Sequence, residues 1–194
     1  RQVFGDDDFL TQWAVHSLAR THLSQNDAVR AEPLAVEAVK SSRRIVGDQH
    51  PTTHSAIAVL AYTYQLQDKH AESAPLIAEL LREPRNDESG LPRRYVIWGL
   101  RLHGKRLLTE KKYAEAESAL RECLALGKNR VPMESEYWRT LSLLGASLLG
   151  QNKYAEAQPL LLESTQRLKQ LVETQGAALR PLDRRYLTEA LERM

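Results

Sequence analysis

His50 and His54 stand four residues apart, a spacing that would put two imidazoles on one helical face where they could share a metal ion. His50, however, precedes Pro51, which steers it away from helical conformation, and no HExxH surrounds the pair. A structural role is the expectation. His16, His22, His70 and His103 are scattered over different segments. His22 and His103 fall on core-facing positions, where a hydrogen-bonded structural histidine is expected. Cys123 is the only cysteine, so no internal disulfide can form. It is expected to be a small packed residue on a buried helix face. Glu115 and Glu117 read as a solvated pair, and Asp6–Asp8 as an acidic run that complements the dipole of the first helix. The Arg43–Arg44 and Arg93–Arg94 pairs read as solvated. Nothing assembles acid, base and nucleophile, so neither an enzyme nor a cofactor site is expected.

Composition agrees with an ordinary folded chain. The 194 residues are enough for one domain with a core, and 42% are hydrophobic. The 27 basic and 25 acidic residues nearly cancel, so the charge gives no sign of nucleic-acid binding. No run approaches the roughly 20 apolar residues of a membrane span. The chain begins at Arg1 and stops at Met194 inside the apolar pattern Leu187, Ala190, Leu191, so a longer parent protein is expected.

The elements that position these side chains are repeats. Ala19, Ala61, Gly104 and Gly145 are separated by 42, 43 and 41 residues. Twelve residues after each comes a second small residue: Ala31, Ser73, Ala116 and Ala157. Two antiparallel helices approach closely only where side chains are small, so one small residue on each marks their contact. Leu34, Leu76, Leu120 and Leu160 follow about one turn later and fill in around it. The turns SQND, LQDKH, TEKK and GQNK separate first from second helices, with Asn26 or Asp27, Asp68 and Asn152 as cap candidates. Pro51, Pro92, Pro132 and Pro181 introduce first helices, where a missing N–H costs nothing.

Those residues resemble a known family. GDQHP with Thr52, LAYTY at 60–64, AEPL at 31–34, KYAEAESAL at 112–120 and NKYAEAQPLL at 152–161 are similar to tetratricopeptide repeats of the long kinesin-light-chain subtype. Ser73 stands where that family has alanine, and His22 and His103 where tyrosine and leucine are usual. The resemblance implies an all-α right-handed superhelix of stacked antiparallel helix pairs, with first helices lining an inner groove that binds a protein or peptide. The segment from Trp138 through Ser164, followed by PLDRRYLTEALER, is also similar to the C-terminal repeat arrays of bacterial serine/threonine protein kinases. That implies an alternative role as a structural or oligomerising spacer attached to a kinase domain outside this sequence.

One repeat domain over 1–194 follows, with repeats near 8–50, 51–91, 92–132 and 133–180 and a partial fifth at 181–194. Helices are predicted near 8–24, 27–45, 52–67, 69–83, 92–109, 112–126, 134–150, 153–173 and 182–193. Pro33, Pro75 and Pro159 are expected to kink second helices outward, with Ser118 unkinked at the same register. Leu182, Tyr186, Ala190 and Leu191 would leave an apolar side uncovered and open to self-association. In the first helix of pair one the core stripe is predicted as Val15, Leu18, Ala19 and His22. The inner stripe beside it is Trp13, His16, Ser17, Arg20, Leu23 and Ser24. Its counterparts in pair two are Ser55, Ala58, Val59, Tyr62, Gln65 and Leu66, and those in the later pairs include Trp98, Arg101, Lys105 and Arg139. Aromatic residues with arginine and no acid predict an acidic, partly apolar partner held by Trp13, Arg20, Tyr62, Trp98, Arg101, Lys105 and Arg139.

Overall fold

The computed structural model describes residues 9–82, 91–127, 134–175 and 188. Its helices are α1 (Phe9–Ser24), α2 (Ala28–Val46), α3 (Pro51–Leu66), α4 (His70–Leu81), α5 (Leu91–Thr109), α6 (Tyr113–Gly127), α7 (Glu134–Leu149) and α8 (Tyr154–Gln175). Each lies within two residues of its predicted bounds. Among the described residues no strand is present, and the fold is all-α. The acidic run Asp6–Asp8 lies outside the described residues. So do the predicted ninth helix and its apolar stripe, apart from Thr188, which is helical.

The four turns inside the pairs are one motif repeated. Asn26, Asp68, Lys111 and Asn152 all have φ between 57° and 62°. This left-handed residue lets the chain reverse just past the end of a first helix. The next residue then donates its N–H five residues back, closing the Schellman bond: Asp27 to His22 O, Lys69 to Tyr64 O and Lys112 to Leu107 O at 2.9 Å, and Lys153 to Leu148 O at 3.0 Å. The same four residues begin the second helix, because their carbonyls accept from Ala31, Ser73, Ala116 and Ala157. Asn26, Asp68 and Asn152 are therefore not the caps that the sequence suggested. Asp27 is the cap of α2, and its Oδ1 accepts from Arg30 N–H at 3.1 Å.

The corner between the first two pairs explains its sequence. Gly47 has φ +87°, a conformation that glycine adopts without a Cβ penalty. His50 caps α3, its Nδ1 accepting from Thr52 N–H at 3.2 Å, and Pro51 opens the helix. Thr53 Oγ1 ties back to Gly47 O at 2.6 Å. Arg43 is exposed, in keeping with its reading as a solvated side chain, and also holds Asp48 at 3.2 Å and Glu79 of α4 at 2.6 Å. The recurrence of charged partners at long sequence separation is what a single arginine pair cannot reveal.

Pro33, Pro75 and Pro159 each occupy the sixth position of their helix, as does Ser118, and all four side chains are exposed. Proline there lacks a donor for the residue four back, yet each helix continues past it.

The chain forms two compact units, residues 1–99 and 100–194. In the first unit α2 packs on α1 and α3, and α4 on α3. Gly99 of α5 sits against Leu80 and Leu81 of α4, where an added Cβ would lie 3.2 Å from each side chain. The core there gathers Ala19, Ala31, Ala35, Ile57, Leu60 and Leu80. In the second unit α7 packs on α6 and α8. Its core joins Leu107, Leu120, Leu144, Leu148 and Leu161. Here the first small site must be glycine: a Cβ on Gly104 would stand 2.6 Å from Leu120 Cγ, and one on Gly145 2.7 Å from Leu161 Cγ.

Candidate partner-binding face

In the first unit three first helices are linked side chain to side chain. His16 Nε2 of α1 lies 3.4 Å from Ser55 Oγ of α3, and Ser55 is hydrogen-bonded in turn to Tyr95 of α5. The Tyr95 ring also tilts against buried His54, with centroids 5.6 Å apart. Burial, then the charge of Arg20, holds the His16 imidazole below its ordinary pKa, with Ser55 opposing. Burial pushes the Tyr95 phenol up. His16 is therefore a neutral group at pH 7, able to donate or accept one hydrogen bond.

Around that chain stand four of the predicted residues. Trp13, three residues before His16, is 65% exposed. Arg20, four residues after it, is exposed and has no carboxylate partner among the described residues. Tyr62 and Trp98 are partly buried, each with one side against the core. This face joins exposed apolar area to a cation. Other residues predicted to line it do not: Leu23, Ala58, Val59 and Gln65 are buried. The inner stripe is narrower than the sequence suggested because neighbouring helices crowd its edges.

The second unit departs further from expectation. Arg139 is only 3% exposed, and its Nη1 donates to Glu136 Oε1 at 2.7 Å. Arg101 pairs with Glu136 as well. The two arginines face an acid of α7 instead of solvent, which corrects the reading of that stripe as free of carboxylates. Arg139 is a positioning residue, since a side chain so buried cannot reach a partner. Lys105 is partly buried. Glu136 was visible in the sequence three residues before Arg139, the spacing at which helical side chains meet.

The residues weighed for chemistry have structural surroundings. Cys123 is buried on α6, and burial raises its thiol pKa, as expected of a packed residue. His103 is half-buried; burial and then Arg106 lower its pKa. Among the described residues no group of three or more His, Cys, Asp or Glu side chains is placed to hold a metal ion. No described helix is long and apolar enough to cross a membrane.

Sequence reasoning missed one recurring arrangement. Glu32 of α2 receives Gln67 Nε2 at 2.8 Å and Lys69 Nζ at 2.6 Å. In the other unit Glu117 of α6 receives Gln151 Nε2 and Lys153 Nζ, both at 2.8 Å. Each glutamine also donates to a backbone carbonyl in the first turn of that helix, Ala28 or Tyr113. Each clasp fastens one pair to the turn of the next. Glu117 is thus a held group, contrary to its reading as a solvated one.

The architecture is an array of consecutive helix pairs of the tetratricopeptide type. Residues 11–52 match the family model of the tetratricopeptide repeat. Among solved structures the chain is similar to one of nearly identical TPR-like repeats from Podosopora anserina, described as a kinesin light chain. The TM-score is 0.58 at 15% identity, covering 99% of this chain and 89% of the other. No curated protein matches the sequence significantly. Neither match concerns a kinase.

Proposed function

We propose that the protein is a non-catalytic docking scaffold that holds an extended peptide, acidic and partly apolar, against the first-helix face of residues 13–98. The observation that carries this reading is the linked row His16–Ser55–Tyr95, with exposed Trp13 and Arg20 beside it. Trp13 supplies apolar area at low rotamer cost, and Tyr62 and Trp98 extend it. Arg20 answers a carboxylate, and the row of polar groups offers hydrogen bonds to an extended backbone. Tryptophan and arginine are the residues that most often carry binding energy at interfaces. Lys105 and Arg101 give the second unit's face the same sign of charge, with Glu136 moderating it. The apolar side of the C-terminal residues 182–191 is assigned, on its sequence pattern, to self-association at high concentration.

The experiment is a titration of tryptophan fluorescence with peptides that alternate Asp or Glu with Leu or Trp, against scrambled and basic peptides. Acidic peptides should bind and basic ones should not. Arg20→Glu and Trp13→Ala should each weaken binding by about ten-fold, since an interface anchor is worth more than about 1 kcal/mol. Equal binding by both variants, with the helical circular dichroism unchanged, would place the partner elsewhere.

A further inference from the structure

The helix α1 presents to solvent a face that its successors bury. Ala14, Leu18, Thr21 and Gln25 recur 42 residues later, residue for residue, as Ala56, Leu60, Thr63 and Gln67. Within the helix face Ser17 differs, standing where α3 has Val59. In α3, which packs on α2, Leu60 is 6% exposed and Thr63 is fully buried. Gln67 then closes the contact by donating to Ala28 O and Glu32. In the second unit α7 meets α6 with the equivalent Leu144, Ser147 and Gln151, and the same clasp forms. On α1, Leu18 is 47% exposed, and Ala14, Thr21 and Gln25 are exposed with it. The expectation that Leu18 belongs to the core fails for this reason. The face is complete, clasp amide included, and no described helix covers it.

We propose that this face seats a further helix of the second type, lying ahead of α1 in the same polypeptide. The described interfaces supply the argument. First helix α3 receives α2, α5 receives α4 at Gly99, and α7 receives α6, so each is covered by the helix that precedes it. The α1 face continues that series, in which a repeat contacts only its neighbours. Charge narrows the occupant. The clasps use Lys69 and Lys153, but the matching residue after α1 is Asp27. A glutamate at the fifth helical position, where Glu32 and Glu117 stand, would meet a carboxylate there. The occupant therefore carries glutamine, lysine or arginine at that position, and small residues where it crosses Ala14 and Ser17.

The test is a graft in register. A copy of residues 27–50 carrying Glu32→Gln is placed directly ahead of Phe9, in place of residues 1–8. Hydrogen exchange at the amides of residues 14–25 should slow by about ten-fold or more, because covering a helix suppresses its local opening. The melting temperature should rise, and Leu18→Glu should cancel both gains in the grafted chain. The same substitution should leave the ungrafted chain's melting temperature unchanged. Exchange at the original rate, whether or not the new helix forms, overturns the proposal. So does an ungrafted chain that sediments as a dimer and becomes monomeric with Leu18→Glu, for then a second copy is the occupant.

Discussion

Lys153 Nζ lies 2.8 Å from Glu117 Oε2, joining the first residue after the fourth turn to the helix of the preceding pair. Lys153 is the largest influence holding the Glu117 carboxyl at about 2, against an ordinary 4.5; Gln151 and Arg121 add to it, and burial opposes. A carboxyl whose folded pKa is depressed stabilises the fold fully above its unfolded pKa. That contribution disappears as pH falls through the folded value. Glu117→Gln should therefore lower stability by about 1 kcal/mol at pH 7, a figure kept small because the site is partly solvated and screened. The difference between wild type and variant should shrink as pH falls from 4.5 toward 2. Urea unfolding at pH 7 and pH 3 reads both effects.

Glycine at the helix crossing of the second unit makes room for leucine. Gly104→Ala should cost about 1–3 kcal/mol from overpacking against Leu120, less a fraction regained from alanine's better helix propensity. Leu120→Ala in the same chain should remove the clash but open a cavity. The double variant should therefore be more stable than the two single losses added together. A four-variant thermal unfolding cycle measures the coupling.

Lys111 is the one turn residue of the four that is neither asparagine nor aspartate, yet it has φ 59°. A side chain without a local hydrogen bond pays about 1 kcal/mol for that conformation. Lys111→Asn should raise stability by about 0.5–1 kcal/mol, and Asn26→Lys should lower it by a similar amount. Unchanged urea midpoints in both would show that the turns tolerate any residue.

His16 gives the docking face a pH signature. Its pKa is lowered by burial and then by Arg20, so its neutral form is favoured, and that stabilisation is lost as pH falls from the ordinary 6.5 through the depressed value. A bound carboxylate near Arg20 would offset the arginine's charge and raise the His16 pKa. Binding of an acidic peptide should then take up protons and tighten as pH drops from 7 toward 6. His16→Gln should flatten that dependence in calorimetric titrations.

The helices were legible because their period, prolines and small residues act locally, and a repeat states the same rule four times. Asp27, offered beside Asn26, is the cap of α2, whereas Asp68 and Asn152 were one residue early, because asparagine and aspartate serve both as helix caps and as left-handed turn residues. Asn26 and Asn152 satisfy either reading until the chain's direction is known. The clasps were harder to see because they join residues 34 to 37 apart and skip a repeat. Ala74 and Glu110 stand where the missing glutamate and glutamine would be. Trp13 and Arg20 lay where the helical period put them, whereas Arg139 did not act as its register implied. Its surroundings depend on Glu136, which no core pattern singles out.

Residues 27, 69, 112 and 153 each end one helix and begin the next, using their N–H for the first and their carbonyl for the second. Neither helix of a pair can fray at the turn without stripping the other of a backbone bond. Under mechanical load each hairpin should therefore release as a single step of extension, with the turn holding until both of its helices yield. Chain stretched between two partners would lengthen in increments of one pair, and relax the same way.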